Sequence, residues 1–446
     1  MKHSLSCANV TRRELLATAG SWAALSMLAQ RGDAQTDAVP VRTRGTARAV
    51  IFINLNGAPS HLDTFDVKDA PWNPEDADIR QGAGGIALSN TLFPNLLRLS
   101  GDLLLVRSVS SWEAAHERGQ FYMQTAHPSN PAFVAETPHL GAVCALEKGG
   151  GGPLPPFIAP NGGFGQGATF LGGRFQPLAA PASPGGLTSI EHNFYGNQSQ
   201  TRFNEKYSFL AELDGSLRSA PPSQTMADHA AFYDAARKLM YDQAISSVFR
   251  FAADDTGRYG NTNLGRAAIV ARNAIRARNG GVFVNLVQGG WDTHQNMFDR
   301  QFGQNMYTLA GELDRAVGAL VDDLKASGDL DQTLILMMGE FGRTPGPLNI
   351  RGGRDHHRDA MSVAMFGGGV RGGRIIGATD ENGEKIIEPG WSKQRPIYME
   401  DLAATVYSAL GINWTKRILD TPTKRIFEYI PYSAEGRYTA VDEVFG

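Results

Sequence analysis

The chain has 446 residues, 42% of them hydrophobic and 20% charged, with 42 Lys and Arg against 45 Asp and Glu. That apolar share is enough for a large core and excludes a disordered chain. A formal net charge of -3 gives no global field for nucleic acid or an anionic membrane, and two cysteines, Cys7 and Cys144, exclude a disulfide framework and Cys-rich zinc or iron–sulfur sites.

The N-terminus reads as an address. Thr11-Arg12-Arg13-Glu14-Leu15-Leu16 is a twin-arginine pattern, an apolar stretch runs through residues 17–29, and Ala34 ends a small-residue segment suited to cleavage. Residues 1–34 are therefore expected to be a signal peptide read by the twin-arginine translocon, leaving a periplasmic or extracellular protein. The competing reading is a chance Arg pair ahead of a cytosolic helix. The apolar stretch falls short of the about 20 residues a spanning helix needs, and no longer uncharged run follows, so the mature form is expected to lack a membrane span.

Beyond it, residues 47–56 read as a buried strand stopped by Gly57-Ala58-Pro59, and residues 103–109 as a second apolar run. Residues 149–186 are crowded with Gly and Pro, which predicts long loops and a small hairpin or two. Helical periodicity occupies residues 227–251 and 264–278. A strand at 282–287 ends at Gly289-Gly290, and a long amphipathic helix is expected over 297–326. Strands at 333–338 and 362–366 and a helix at 399–410, closed by Gly411, complete the series. Apolar strands alternating with amphipathic helices imply an α/β fold: a mostly parallel sheet covered on both faces, with sites at the carboxyl ends of the strands. No repeat or clean linker divides the chain, so one domain over 45–435 is expected, with room for a subdomain near 150–225.

Four polar clusters follow buried runs. Ser60-His61-Leu62-Asp63-Thr64-Phe65-Asp66 offers possible cation ligands, although Ser and Asp also serve turns and caps. His116-Glu117-Arg118, with Thr125 and His127 beyond, pairs an imidazole with a guanidinium suited to phosphate, sulfate or carboxylate, or it is simply a helix start. Gly289-Gly290-Trp291-Asp292-Thr293-His294 sets a carboxylate and an imidazole two residues apart in a loop, where both can turn to one point; Asp292 as a helix N-cap is the alternative. Glu340-Phe341-Gly342-Arg343-Thr344-Pro345, continuing to Gly353-Arg354-Asp355-His356-His357, gathers too many polar groups for solvated surface. Gly162-Gly163-Phe164-Gly165-Gln166-Gly167 lacks the strand and the Lys-Ser/Thr of a phosphate loop, which argues against a nucleotide fold.

In order, the segments Gly57 to Asp66, Gly290 to His294, Gly339 to Pro345, Gly353 to His357 and the closing stretch from Asp401 to Ile412 resemble the DUF1501 family. The resemblance spans about residues 45–430. That family is placed with the alkaline phosphatase/sulfatase superfamily, whose enzymes typically hold two metals and attack phosphorus or sulfur with a Ser, Thr or modified Cys. The resemblance implies that Asp292 and His294 are a metal-ligand pair, that Glu340 begins a second pair whose histidine position is Phe341, and that Asp355 and His356 fall near the final histidine. Asn56 stands where the first metal carboxylate is expected, with Asp63 the nearest substitute. At the expected nucleophile position, before Arg118, the residues are Ala114, Ala115 and His116; Ser111 and Thr125 are the nearest hydroxyls.

The expected function is a metal-dependent hydrolase of phosphate or sulfate esters, with a small-molecule or saccharide ester as substrate. A divalent ion, zinc foremost with calcium or manganese as alternatives, would be held by Asp63, Asp292, His294, Glu340, Asp355 and His356. His116, Arg118 and Arg343 would serve the reaction and the anion. The alternative is a non-catalytic exported protein that binds an anion or carbohydrate through a degenerate site.

Overall fold

The computed structural model describes residues 36–149, 152–180, 182, 199–220 and 242–446. The expected signal segment, and most of the helix expected at 227–251, lie outside the described residues; of the latter, a short helix at Gln243–Val248 is described.

An eight-stranded sheet organises the chain. Its strands are β1 (Ala49–Leu55), β2 (Leu104–Val109), β3 (Phe157–Ala159), β4 (Leu178–Ala179), β5 (Phe283–Gln288), β6 (Thr333–Met338), β9 (Met361–Phe366) and β10 (Arg374–Ile376). The spatial order is β10-β2-β9-β6-β1-β5-β3-β4. Every neighbour pairs in parallel except β9, which runs antiparallel to both β2 and β6. The α/β fold with a mostly parallel sheet is thus present.

The central strand explains why the sheet needs cover on both faces. Ala49, Ile51, Ile53 and Leu55 of β1 enter one core, and Val50 and Phe52 enter the other. Helices α3 (Asn263–Ala277) and α4 (Met306–Ala326) close the first face; α2 (Leu140–Lys148) and α5 (Met399–Ala409) close the second. A strand buried on both sides carries a near-continuous run of apolar residues rather than alternating ones.

Two expectations change. The hairpins predicted in residues 149–186 are β3 and β4, which pair in parallel at the sheet edge. The long helix starts at Met306 and not near 297, because the Asn305 side chain accepts from the Thr308 backbone N–H at 3.0 Å and caps it there. Gly411 lies one residue past the Leu410 cap, with φ +69°.

The sheet directs several segments to one edge. The turns after β1, β5 and β6 all leave from the carboxyl ends of parallel strands. Since β9 is antiparallel, the segment preceding it arrives at that same edge. A two-stranded ribbon there, β7 (Gly342–Arg343) and β8 (His356–His357), pairs Arg343 with His356.

Candidate metal centre

Four side chains converge at this edge: His116, Asp292, His294 and His356 each place a potential ligand atom within 4.8 Å of the others. His116 opens helix α1 (His116–Thr125), Asp292 and His294 follow β5, and His356 lies in β8. Backbone contacts set the spacing. Gly57, with φ +105°, sits so close to the Asp292 loop that a Cβ would meet the Asp292 nitrogen at 2.5 Å, so only glycine fits. Gly119 lets α1 approach Glu340, whose Cβ would lie 3.1 Å from an added methyl.

Each imidazole is fixed through Nδ1. His116 Nδ1 meets Glu340 Oε1 at 2.6 Å, His294 Nδ1 meets Asp355 Oδ1 at 2.7 Å, and His356 Nδ1 meets the Ala114 carbonyl at 2.7 Å. An acceptor on each Nδ1 suits the neutral ring that carries its proton there and keeps the Nε2 lone pair for a cation. The three Nε2 atoms then face Asp292 Oδ1, His116 and His294 at 3.0 Å and His356 at 3.6 Å. His294 Nε2 and His356 Nε2 are 3.0 Å apart. Lone pairs pointed at one another without a proton between them repel, and a cation relieves that repulsion. A tetrahedral ion with ligands at ~2.0–2.1 Å has ligand–ligand edges of about 3.3 Å, which matches the spacing. The donor set therefore fits a divalent cation. The four side chains remain 27–44% exposed, so the centre is open rather than sealed as in a purely structural site. Asp292 and His294 also line an open cleft of about 310 Å³ with Thr293, Gln295, Phe302, Gln304 and Arg351.

Electrostatics keep Asp292 ionised. Partial burial opposes ionisation of Asp292, but the Arg343 guanidinium at 2.5 Å, with His116 and His294, draws its pKa down to about 2. The Glu340 hydrogen bond raises the His116 pKa above its ordinary value, and burial lowers that of His356.

Other residues expected in the site take different places. Glu340 is fully buried and does not face the centre. It accepts from the Gly57 and Ala58 backbone N–H groups at 3.2 and 3.1 Å and from Gln120 Nε2 at 2.7 Å, besides holding His116. Asp355 is likewise engaged, by His294, Arg351 at 2.9 Å and Asn349 at 3.1 Å. Asp63 is drawn away by buried Arg354, whose Nε lies 2.6 Å from its Oδ2. Arg118 points outward to Glu113 at 2.7 Å. His116, expected to act on substrate, instead stands among the four converging groups.

Arg343 is wholly buried. Its five N–H donors meet Ala58 O, Gly57 O, Arg354 O, Asp292 Oδ1 and His294 Nε2. Ser111 Oγ accepts from the Glu113 backbone, and Thr125 Oγ1 donates to the Phe121 carbonyl within its own helix. Neither hydroxyl reaches the four. Burial pushes the Cys144 thiol pKa up and makes it inert. Gln120 and the Ala114 carbonyl were not foreseen. Gln120 lies one helical turn past His116, a spacing that sets both on one face of α1.

Comparison with known proteins gives a family and no activity. No curated protein matches the chain. Among solved structures, it is similar to the PsFucS1 sulfatase from Pseudoalteromonas sp., at 13% identity over 82% of this chain and 68% of that one, TM-score 0.38. The phosphonate monoester hydrolase SpPMH from Silicibacter pomeroyi is similar at 12% identity over 87% and 77%, TM-score 0.36. Alkaline phosphatase from the Antarctic bacterium TAB5 is similar at 13% identity over 83% and 99%, TM-score 0.34. The pattern of one family, described as "Protein of unknown function (DUF1501)", matches residues 47–428, the whole of the central sheet with all four converging side chains, and the chain belongs to that family.

Proposed function

We propose that the protein is a metal-dependent hydrolase of anionic esters, phosphate or sulfate, with His116, Asp292, His294 and His356 as the side chains that hold divalent metal. One observation carries this reading: three imidazoles, each locked through Nδ1, aim bare Nε2 atoms at one carboxylate oxygen. A divalent ion held there supplies Lewis-acid chemistry, polarising an ester oxygen and lowering the pKa of water toward ~7. The chain's own part is positional. Glu340, Asp355 and the Ala114 carbonyl keep the imidazoles in the ligating tautomer, and such partners matter about 10–100-fold in metal affinity. Of the five Arg343 donors, four are held by oxygen; the one facing His294 Nε2 at 3.3 Å is the donor an anionic oxygen can claim. The cleft beside Asp292 and His294, rimmed by Arg351, gives the ester its approach.

The chain is further proposed to act outside the cytoplasm after loss of residues 1–34, a point that N-terminal sequencing of the exported protein and an Arg12→Lys/Arg13→Lys variant would test. Hydrolysis is tested by assaying metal-loaded protein on aryl phosphates, phosphate diesters and aryl sulfates. Turnover that falls to background on chelation and returns with metal supports the reading. Stoichiometric metal without turnover on any ester favours the second reading, an anion- or carbohydrate-binding protein. The observation behind that alternative is that neither Ser111 nor Thr125 reaches the four ligating groups.

A further inference from the structure

We infer that the centre takes one divalent ion and not two, because the carboxylates beyond the four converging groups are held by protein donors and the fixed guanidinium charges of Arg343 and Arg354 stand among them. The inference rests on the metal-binding reading above and adds its stoichiometry. Ligand-type side chains are plentiful at this edge: His116, Asp292, His294 and His356, with Glu340, Asp355, Asp63 and Asp66 close by in the fold. Eight such groups are enough for two ions. The structure divides them sharply.

Four are left with atoms facing a common point. The other four carboxylates are each matched by protein donors, Asp355 by His294 at 2.7 Å, Arg351 at 2.9 Å and Asn349 at 3.1 Å. Asp63 accepts from Arg354 Nε at 2.6 Å and Nη2 at 3.4 Å and from Ser60 Oγ at 2.5 Å, and both partners of the ion pair are buried to within 1%. Arg354 is further pinned by the Thr344 and Gly346 carbonyls at 2.9 and 2.5 Å. Asp66, fully buried, is held by Arg107 and Lys68, each at 3.2 Å, and by Thr379 at 2.5 Å. Glu340 has four donors. Drawing Asp63 or Asp66 toward a cation would strand a buried arginine without its counter-charge, a strongly unfavourable exchange.

Arg343 acts more directly. Its guanidinium lies 2.5 Å from Asp292 Oδ1 and 3.3 Å from His294 Nε2, so a full positive charge already borders the centre on the sheet side. A second divalent ion on that side would face this charge at short range, with the neighbouring carboxylates already held by protein donors. Among the described residues, no other group of three His, Cys, Asp or Glu ligand atoms converges.

Metal stoichiometry tests this without reference to turnover. The purified chain is equilibrated with excess zinc, stripped of loosely held ion by gel filtration and analysed by mass spectrometry of the metal; manganese is run in parallel. The expected result is one equivalent per chain, and none in His294→Ala. Two equivalents retained by the unaltered chain would overturn the single-ion inference while leaving the proposed hydrolase standing. No retained metal would overturn the proposed function, and the inference with it. Circular dichroism of His294→Ala separates loss of metal from loss of fold.

Discussion

Two charged clusters in this molecule contain the same kinds of residue and do opposite things. Between α3 and α4, Arg272 meets Asp255 at 2.7 Å and Asp323 at 2.9 Å, Arg258 meets Asp323 at 2.6 Å, and Tyr259 donates to Asp323 at 2.8 Å. Two guanidinium groups face two carboxylates and a phenol, and every strong acceptor has a donor. At the sheet edge, three imidazole nitrogens and one carboxylate oxygen share Arg343 alone as a donor. The first cluster is complete as folded and locks helices together. The second is short of positive charge at one point, and this deficit, rather than the number of titratable groups, marks a place for a cation.

The largest contrast should come from removing one member of each. His294→Ala should abolish metal retention and leave the unfolding midpoint nearly unchanged, since His294 is a partly exposed loop residue whose loss opens no apolar cavity. Asp323→Ala should do the reverse, costing about 3 kcal/mol by stranding buried positive charge while metal retention stays intact. Paired metal analysis and denaturant melts check both. If His294→Ala kept its metal, or if Asp323→Ala lost it, the division between the clusters would fail.

A finer contrast comes from Asp355→Asn. It leaves all four converging groups present but weakens the hold on His294 Nδ1, so metal affinity should fall about 10–100-fold in competition with a chelator. Unchanged affinity would mean that the imidazole is positioned by other contacts.

The helix cluster also predicts a pH effect. Burial opposes ionisation of Asp323, but hydrogen bonds from Arg258, Arg272 and Tyr259 bring its pKa from 3.8 to about 2 in the folded state. Between those values the unfolded chain binds more protons, so this contribution is fully present above about pH 4 and is lost as the pH falls toward 2. Acid denaturation of metal-free protein should show that slope, and Asp323→Asn should flatten it.

Thr125→Ala should have the smallest effect. The hydroxyl bonds only within and just beyond its own helix, so stability should change by about 1 kcal/mol or less with metal binding untouched. Loss of ester turnover in this variant with metal still bound would indicate a covalent route through the hydroxyl.

These contrasts also show how far the sequence could be read. β1, β5 and β6 were legible because strands buried on both faces carry runs of apolar residues with only isolated polar ones such as Asn54 and Asn285. The antiparallel direction of β9 was not, since a buried run carries no mark of its direction. The start of α4 was misplaced by Met297 and Phe298, which pack as a loop against the core; Asn305 was the capping signal that would have corrected it. At the candidate site, residue types pointed to the sheet edge where four of the side chains converge. Their division could be seen only in three dimensions, because Glu340 and Asp355 are carboxylates like Asp292 and differ in taking the Nδ1 side of an imidazole while Asp292 faces the Nε2 atoms. Asp63 was claimed by Arg354, which is 291 residues away in the chain, a pairing that no local pattern encodes.

X-ray absorption at the zinc edge, on protein loaded with one equivalent, tests the central claim most directly. The account predicts three imidazole nitrogens and at least one carboxylate oxygen at ~2.0–2.1 Å, with no sulfur. A shell with fewer than two imidazoles, or one unchanged in His356→Ala, would contradict it.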